Sequence, residues 1–195
     1  MRCIHKNIDG RGDGEEVMRG KMLWNPVLGA LAVAIVAVGS AEAQEAAQPA
    51  CTAPVAPTGE LAPWTTPFPL QAAGSEAGIS SASLPVGRAA RLTLLQTPQV
   101  RYALRPEKPG GSVSHGGLVR IDVREAGTYR VALDSAAWID LVRDQQALIS
   151  TAHGHGPHCT GVRKMVDYSL TPGPYILQIS ANGQPQMTVL LARLP

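Results

Sequence analysis

The stretch LVRIDVR, residues 118–124, indicates how this chain folds. Its apolar residues Val119, Ile121 and Val123 alternate with charged ones. Because successive side chains of a β-strand point to opposite faces of a sheet, this period of two predicts a strand with one buried face and one face in water. Such a strand needs a second layer of structure to cover its apolar row.

The same alternation and other short β-rich runs recur on both sides of this stretch. Turn residues separate the runs, and no helix-period pattern longer than two turns lies between them. We therefore predict an all-β fold over residues 84–195, an antiparallel β-sandwich or jelly-roll-like arrangement of eight to nine strands. The other candidate strands are RLTLL (91–95), QVRYALR (99–105), GTYRVAL (127–133), AWIDLV (137–142), ALIST (147–151), RKMVDY (163–168), PYILQIS (174–180) and MTVLL (187–191).

Residues 1–43 are typical of an export signal. The apolar run 27–38 spans about a dozen residues, whereas a membrane-spanning helix needs roughly 20. The small-residue triplet that ends at Ala43 predicts cleavage there. Because residues 1–17 do not resemble the start of a signal peptide, we expect translation to begin at Met18 or Met22. The mature protein should be periplasmic or secreted, with no membrane span after cleavage.

Residues 44–83 are rich in alanine and proline and cannot build a core of their own. We predict a disordered or loosely docked N-terminal arm. Its large apolar side chains are Trp64, Phe68 and Leu70. They could hold the arm against the sandwich, which is the interpretation we favour, or form an exposed segment that binds a partner.

The charge balance argues against a nucleic-acid partner. The chain has 17 Lys and Arg against 15 Asp and Glu, a net charge of +2, and these residues form no basic stripe. No G-x-S-x-G elbow is present, and no phosphate-binding glycine loop follows a strand. We therefore name no catalytic residue and expect a small ligand or a surface component as partner.

Three further side chains allow two interpretations each. Arg163 and Lys164 could bind an anion, but charges on an edge strand also prevent aggregation, and we favour that role. Trp138 could stack on a ligand, but we place it in the core.

Cys51 and Cys159 are the two cysteines that remain after signal cleavage. In an oxidising compartment the simplest assignment is one disulfide between them. It would attach the proline-rich arm to the turn that contains Cys159. Closing a loop of this length stabilises a protein by roughly 4 to 5 kcal/mol in the chain-entropy model.

Histidines concentrate around that turn. The stretch TAHGHGPHCTG, residues 151–161, contains His153, His155 and His158, and His115 lies in a second glycine-rich segment, residues 105–117. If the strand ALIST continues to its end, His153 and His155 lie on the same face as Ile149 and can chelate one ion. His158 and His115 are then the candidate third and fourth ligands.

Neutral imidazoles suit zinc, copper or nickel, and a three-histidine zinc site with an open position would activate water. Iron would instead need a carboxylate, such as Glu107 or Asp167. With the disulfide formed, the site would be built from histidines alone. The alternative is a surface turn whose imidazoles are solvated or hydrogen-bonded.

Two resemblances bear on function. The segments EAGTYRVAL and TPGPYILQI share the form G-x-Y-x-[VL]-x-[LI], which resembles the bacterial pre-peptidase C-terminal type of β-sandwich and implies a binding or accessory module. The stretches PEKPGGSVSHGG, AGTYRVAL, AWIDLV and HGHGPHCTGVRKMVDY resemble small exported bacterial proteins that are often labelled homogentisate 1,2-dioxygenase, which implies a non-haem metalloenzyme.

The cupin pattern of such dioxygenases, H-x-H-x(3,4)-E, begins at His153 and His155, but Cys159 and Thr160 stand where the glutamate would be. No iron ligand is therefore carried over from the resemblance. Two functions remain open. The first is an exported accessory or binding β-sandwich with a metal or small-ligand site at the His-rich loop. The second is a small metalloenzyme, an oxidoreductase of the dioxygenase type, built on the same loops.

Overall fold

A computed structural model describes residues 50–195. It confirms the all-β prediction, since eleven strands form two sheets of six and five strands. The signal-peptide prediction, with its start sites and its cleavage point, lies outside the described residues. The strands are β1 Phe68–Gln71, β2 Ala89–Thr93, β3 Leu95–Gln96, β4 His115–Val123, β5 Gly127–Leu133, β6 Trp138–Arg143, β7 Gln146–Ala147, β8 Ala152–Gly154, β9 Lys164–Leu170, β10 Gly173–Asn182 and β11 Gln186–Arg193.

The six-stranded sheet has the order β1-β2-β11-β5-β9-β8, and the five-stranded sheet has the order β3-β4-β10-β6-β7. All neighbours are antiparallel except β1 and β2, which run parallel. Among the described residues the helical elements are three short 3₁₀ segments, Gly59–Thr65, Glu76–Ser81 and Thr97–Gln99. No helix in this part of the chain is long and apolar enough to cross a membrane.

The predicted apolar rows form the core between the sheets. Val119, Ile121 and Val123 of β4 are buried there, while Asp122 between them is exposed. The corresponding rows of the other long strands pack against them, so the period of two sets which face of each strand is buried. These rows are Tyr129, Val131 and Leu133 of β5, Val166, Tyr168 and Leu170 of β9, Tyr175, Leu177 and Ile179 of β10, and Met187, Val189 and Leu191 of β11.

Two of the predicted strands are wrong. The segment 99–105 alternates in polarity but pairs with no strand, because β3 and the chain at Ala73 and 82–84 already take the hydrogen bonds along the edge of β4. It lies instead over the outer face of the five-stranded sheet, where Tyr102 packs and the Leu104 N–H donates to the side-chain oxygen of Gln178 over 3.1 Å.

The segment 147–151 is the second wrong strand. Strand β7 ends at Ala147 in the five-stranded sheet and β8 begins at Ala152 in the six-stranded sheet, so the residues between them connect the two layers. Ile149 is 91% exposed and has no core face to share with a histidine.

The described part of the arm, which we call the leading segment (residues 50–83), is docked rather than loose. It belongs to the same compact unit as the rest of the described chain. Leu61 and Trp64 are buried against the outer face of the six-stranded sheet. Strand β1 extends that sheet, and Ala73 and Ala82 then pack on the outer face of the five-stranded sheet.

The two G-x-Y segments form two equivalent corners. β4 passes to β5, and β9 to β10, across the gap between the sheets. The Tyr129 hydroxyl donates to the Glu125 carbonyl and the Tyr175 hydroxyl to the Thr171 carbonyl, both over 2.8 Å. Each tyrosine therefore satisfies a carbonyl of the corner it follows while its ring fills the core.

We expect Tyr175→Phe and Tyr129→Phe to lower the free energy of unfolding by about 1 to 2 kcal/mol each, because each leaves a corner carbonyl without its donor. The loss should be larger for Tyr175, whose oxygen also accepts from Arg143 and from the Thr171 N–H. Tyr168→Phe is the matched control, since Tyr168 lies opposite Tyr129 in register but follows no corner. Urea unfolding measures the difference, and equal losses for all three variants would contradict the corner role.

The burial of Tyr168 should make the folded protein less stable at alkaline pH. Burial, with the nearby Asp140 carboxylate, raises the pKa of Tyr168 to about 12, whereas the unfolded value is about 10. The unfolded chain therefore ionises first, and the stabilisation present below pH 10 is lost as the pH rises towards 12. We expect wild-type stability to fall by roughly 2 kcal/mol more than that of Tyr168→Phe across this window. Identical pH profiles of the two proteins would refute this expectation.

Candidate functional site

The histidine-rich loop leaves the edge of the six-stranded sheet. Strand β8 pairs with β9, which places His153 opposite Val166. The chain then turns back through Gly156, where a side chain would overlap the Val162 carbonyl oxygen. Thr160 closes the turn, since its hydroxyl donates to the Pro157 carbonyl over 2.7 Å and its N–H donates to the same oxygen. The loop is therefore a tight turn held by hydrogen bonds to a backbone carbonyl, and it is not an extension of a strand.

The predicted disulfide is present. Cys51 and Cys159 are bonded, with their Cα atoms 5.4 Å apart and 108 positions apart in the sequence. A backbone hydrogen bond of 2.8 Å from the Val55 N–H to the Cys159 carbonyl reinforces the link. Cys159 has a φ of +62°, a left-handed conformation that residues other than glycine adopt at some cost.

The four candidate metal ligands lie in different surroundings. His115 begins β4 in the five-stranded sheet, and its Nδ1 is buried without a hydrogen-bond partner among residues 50–195. His153 is exposed on β8, and His155 donates from Nδ1 to the Arg163 carbonyl over 3.2 Å. His158 lies against the disulfide. Within the described chain these four imidazoles supply no group of three ligand atoms within 4.8 Å of one another.

A different group of potential ligands does meet that distance. Cys51, His158 and Cys159 bring their ligand atoms within 4.8 Å of one another. His158 Nε2 is 3.6 Å from the Cys51 sulfur, and Nδ1 is 3.1 Å from the Cys159 sulfur. As long as the two sulfurs are bonded to each other, they are not thiolates and cannot bind a metal ion as such.

The carboxylates considered for an iron site are engaged or distant. Asp167 accepts two hydrogen bonds from the Arg130 guanidinium, of 2.8 and 2.9 Å, and the same guanidinium contacts Glu60 at 3.1 Å. This ion triad ties the leading segment to β5 and β9 and raises the pKa of Arg130, chiefly through the hydrogen bond to Asp167. Glu107 is exposed and joins no potential ligand group in residues 50–195.

A surface groove of about 280 Å³ opens beside the loop, where the β5–β6 connection faces β8 and β9. We call it the cationic groove. Two histidines, one arginine and one lysine are among its lining residues, although most of the lining atoms are apolar, and within the described residues no aspartate or glutamate lines it. Its lining consists of Ala136, His153, Gly154, His155, Arg163 and Lys164.

Lys164 connects the two sheets at the mouth of this groove. Its ammonium donates to the Ala137 carbonyl over 2.9 Å and lies 5.7 Å from the Trp138 ring. Burial lowers the pKa of Lys164, repulsion from Lys108 lowers it further, and Asp140 partly offsets both. Lys164 is therefore a partly dehydrated cation, for which an anion would be a favourable neighbour.

Two expectations about these side chains were wrong. β9 is not an edge strand, because β8 pairs with its outer side, so Lys164 does not protect a free edge. Trp138 is only half-buried, and Lys108 and Lys164 flank its ring at 5.0 and 5.7 Å. The sequence contained one signal for the half-buried lysine of the groove. Lys164 alternates with Val166 and Tyr168, whose side chains are buried on the same face of β9.

No protein-family model and no curated protein sequence matches this chain.

We expect the double variant Cys51→Ser/Cys159→Ser to lower the free energy of unfolding by up to about 5 kcal/mol, because the unfolded chain regains the entropy of a loop 108 positions long. Urea unfolding in the presence and absence of a dithiol reductant measures the effect. The reductant should destabilise the wild type by a similar amount and leave the variant unchanged. A variant as stable as the oxidised wild type would show that the bond contributes nothing to stability.

Proposed function

We propose that this protein is an exported, periplasmic or secreted, accessory β-sandwich that binds a small anionic ligand in the cationic groove. The observation that carries the proposal is the charge of the lining residues: Arg163 and Lys164 line the groove beside His153 and His155, and no acidic residue of the described chain lines it. Export is supported by the signal-like residues 1–43 and by the disulfide, which is compatible with an oxidising compartment.

The groove chemistry favours a carboxylate ligand. Arg163 can bind both oxygens of a carboxylate in a planar fork, and a charge-assisted hydrogen bond is about twice as strong as a neutral one. The half-buried Lys164 would contribute a second positive charge. A volume of about 280 Å³ lies at the lower limit of small-molecule sites, so a ligand of one aromatic ring fits better than an extended one.

Homogentisate is a ligand of this class, since it is an aromatic ring with a single carboxylate. It is also the compound named in the label of the exported proteins that this sequence resembles. We therefore propose aromatic carboxylates as the ligand class and homogentisate as the first probe.

The alternative, a dioxygenase-like metalloenzyme, has less support. It needs two imidazoles beside a carboxylate or an equivalent ligand set. The single group of three potential ligands in residues 50–195 contains two bonded cysteines and no carboxylate. Asp167, which could have completed such a set, is held by Arg130.

Calorimetric titration of the purified protein with homogentisate, kept reduced under nitrogen, tests the proposal. We expect one ligand per chain, with binding that weakens as the salt concentration rises because the attraction is electrostatic. Phenylacetate should bind, whereas the neutral phenylacetamide should not. Arg163→Met should weaken binding about tenfold or more, since it removes a charge-assisted hydrogen bond.

The matched control is Arg101→Met, which removes an exposed arginine that does not line the groove. Equal binding of the acid and the amide, or equal losses in the two arginine variants, would refute the anion site. Oxygen uptake with loss of homogentisate would instead support the enzyme alternative.

A further inference from the structure

The disulfide and its histidine form an exposed cluster that the proposed ligand site does not use. His158 and Cys51 are exposed and Cys159 is half-buried. The imidazole presents both ring nitrogens to the sulfurs, at 3.6 Å from Cys51 and 3.1 Å from Cys159. Solvent and small reductants can therefore reach the S–S bond, and the single imidazole of His158 already lies beside both sulfurs.

The backbone around the sulfurs is held by contacts other than the S–S bond. The Val55 N–H donates to the Cys159 carbonyl over 2.8 Å. Five to nine positions after Val55, Glu60 pairs with Arg130, and Leu61 and Trp64 are buried against the six-stranded sheet. None of these noncovalent contacts involves a sulfur atom, so we expect them to hold the two thiols close to each other in the reduced protein.

We propose that reduction of the Cys51–Cys159 disulfide converts the cluster into a Cys₂His site for a thiophilic metal ion, with Zn²⁺ as its divalent representative. The ligands are the two thiolates and one nitrogen of His158. A fourth, open position is left for water or an external ligand, as in zinc sites with three protein ligands. The inference does not depend on the cationic groove.

The chemistry balances with a dithiol as the reductant. One thiolate of the dithiol attacks a disulfide sulfur and forms a mixed disulfide, which the second thiol of the reductant resolves. The protein gains two electrons and two protons, and the dithiol leaves as its own disulfide. Zn²⁺ then displaces the two thiol protons, because a thiolate and not a thiol is the metal ligand.

The observed geometry permits this site. Zn–S bonds of about 2.3 Å at tetrahedral angles place two sulfurs about 3.8 Å apart. With the Cα atoms 5.4 Å apart, rotation of the two cysteine side chains reaches that separation without movement of the backbone. His158 adjoins Cys159 in the sequence and already faces both sulfurs, so it needs only a small adjustment.

The test is a zinc titration of the full chain in two redox states, followed by competition with a chromogenic chelator. The dithiol is removed under nitrogen before the metal is added. We expect about one zinc per chain in the reduced protein, release of about two protons, and no tight binding in the oxidised protein. Cobalt in place of zinc should give thiolate-to-metal charge-transfer absorption in the reduced protein alone.

Variants separate this site from the histidine-only alternative. His158→Ala should weaken zinc binding about tenfold or more, and Cys51→Ser/Cys159→Ser should abolish it under reducing conditions. His153→Ala is the matched control and should bind as the wild type does. Circular dichroism of each reduced protein confirms that the sandwich is folded before the metal is added.

Three results would overturn the inference. They are equal zinc binding in the oxidised and reduced states, no stoichiometric zinc in the folded reduced protein, and zinc binding that survives the double cysteine substitution. Arg163→Met should leave zinc binding unchanged, so failure of the anion site and failure of the metal site are distinguishable.

Discussion

The structure depends on the close cover that the leading segment gives to the outer faces of both sheets. Those faces are not fully polar: Ala89, Ala132 and Leu190 of the six-stranded sheet lie under Leu61 and Trp64. Small residues make the approach possible. At the edge of the five-stranded sheet, on its core-facing side, a side chain at Gly117 would place its Cβ only 2.5 Å from the Cβ of Ala72. A sandwich without this cover would expose apolar surface on both sides.

The ion triad and the disulfide hold the same segment at two further points. Arg130 reaches from β5 to both Asp167 and Glu60, which joins two neighbouring strands to the leading segment. The disulfide secures the beginning of that segment to the His-rich loop. The disulfide and the ion triad lie at different points of the leading segment. The His-rich loop is therefore linked, through this segment, to the residues that pack on the outer face of the six-stranded sheet. The backbone that presents the candidate sites at the loop is therefore held in place by both links.

The strand pattern predicted most of the sandwich because burial of alternate residues is a local property of an extended chain. Residues 118–124, 127–133 and 174–180 all bury the predicted rows. The same rule failed at 99–105, where an alternating segment covers a sheet face without pairing, since the pattern cannot tell a paired strand from an extended cover. It failed at 147–151 because a run of β-forming residues can also connect two layers.

The sequence allowed the cysteine pairing to be predicted, because the expected removal of Cys3 with a signal peptide leaves two thiols and one possible pair. It did not allow the composition of the cationic groove to be predicted. Ala136, His153 and Lys164 come from three separate elements, and their meeting depends on how β8 joins the edge of β9 and where the β5–β6 connection crosses. Likewise, the sequence grouped His158 with the other imidazoles, whereas the reversal of the chain at Gly156 places it with the two sulfurs.

By itself, the sequence determined the fold class, the buried face of most strands and the partner of each cysteine in the disulfide. Those features follow from local periodicity and from the two cysteines, of three in the chain, that remain if the predicted signal peptide is removed. Only the tertiary structure decided that the proline-rich segment is a cover rather than a tether, and which charges and imidazoles share one surface. Such contacts join residues far apart in the chain, and their distances depend on the packing of all the intervening elements.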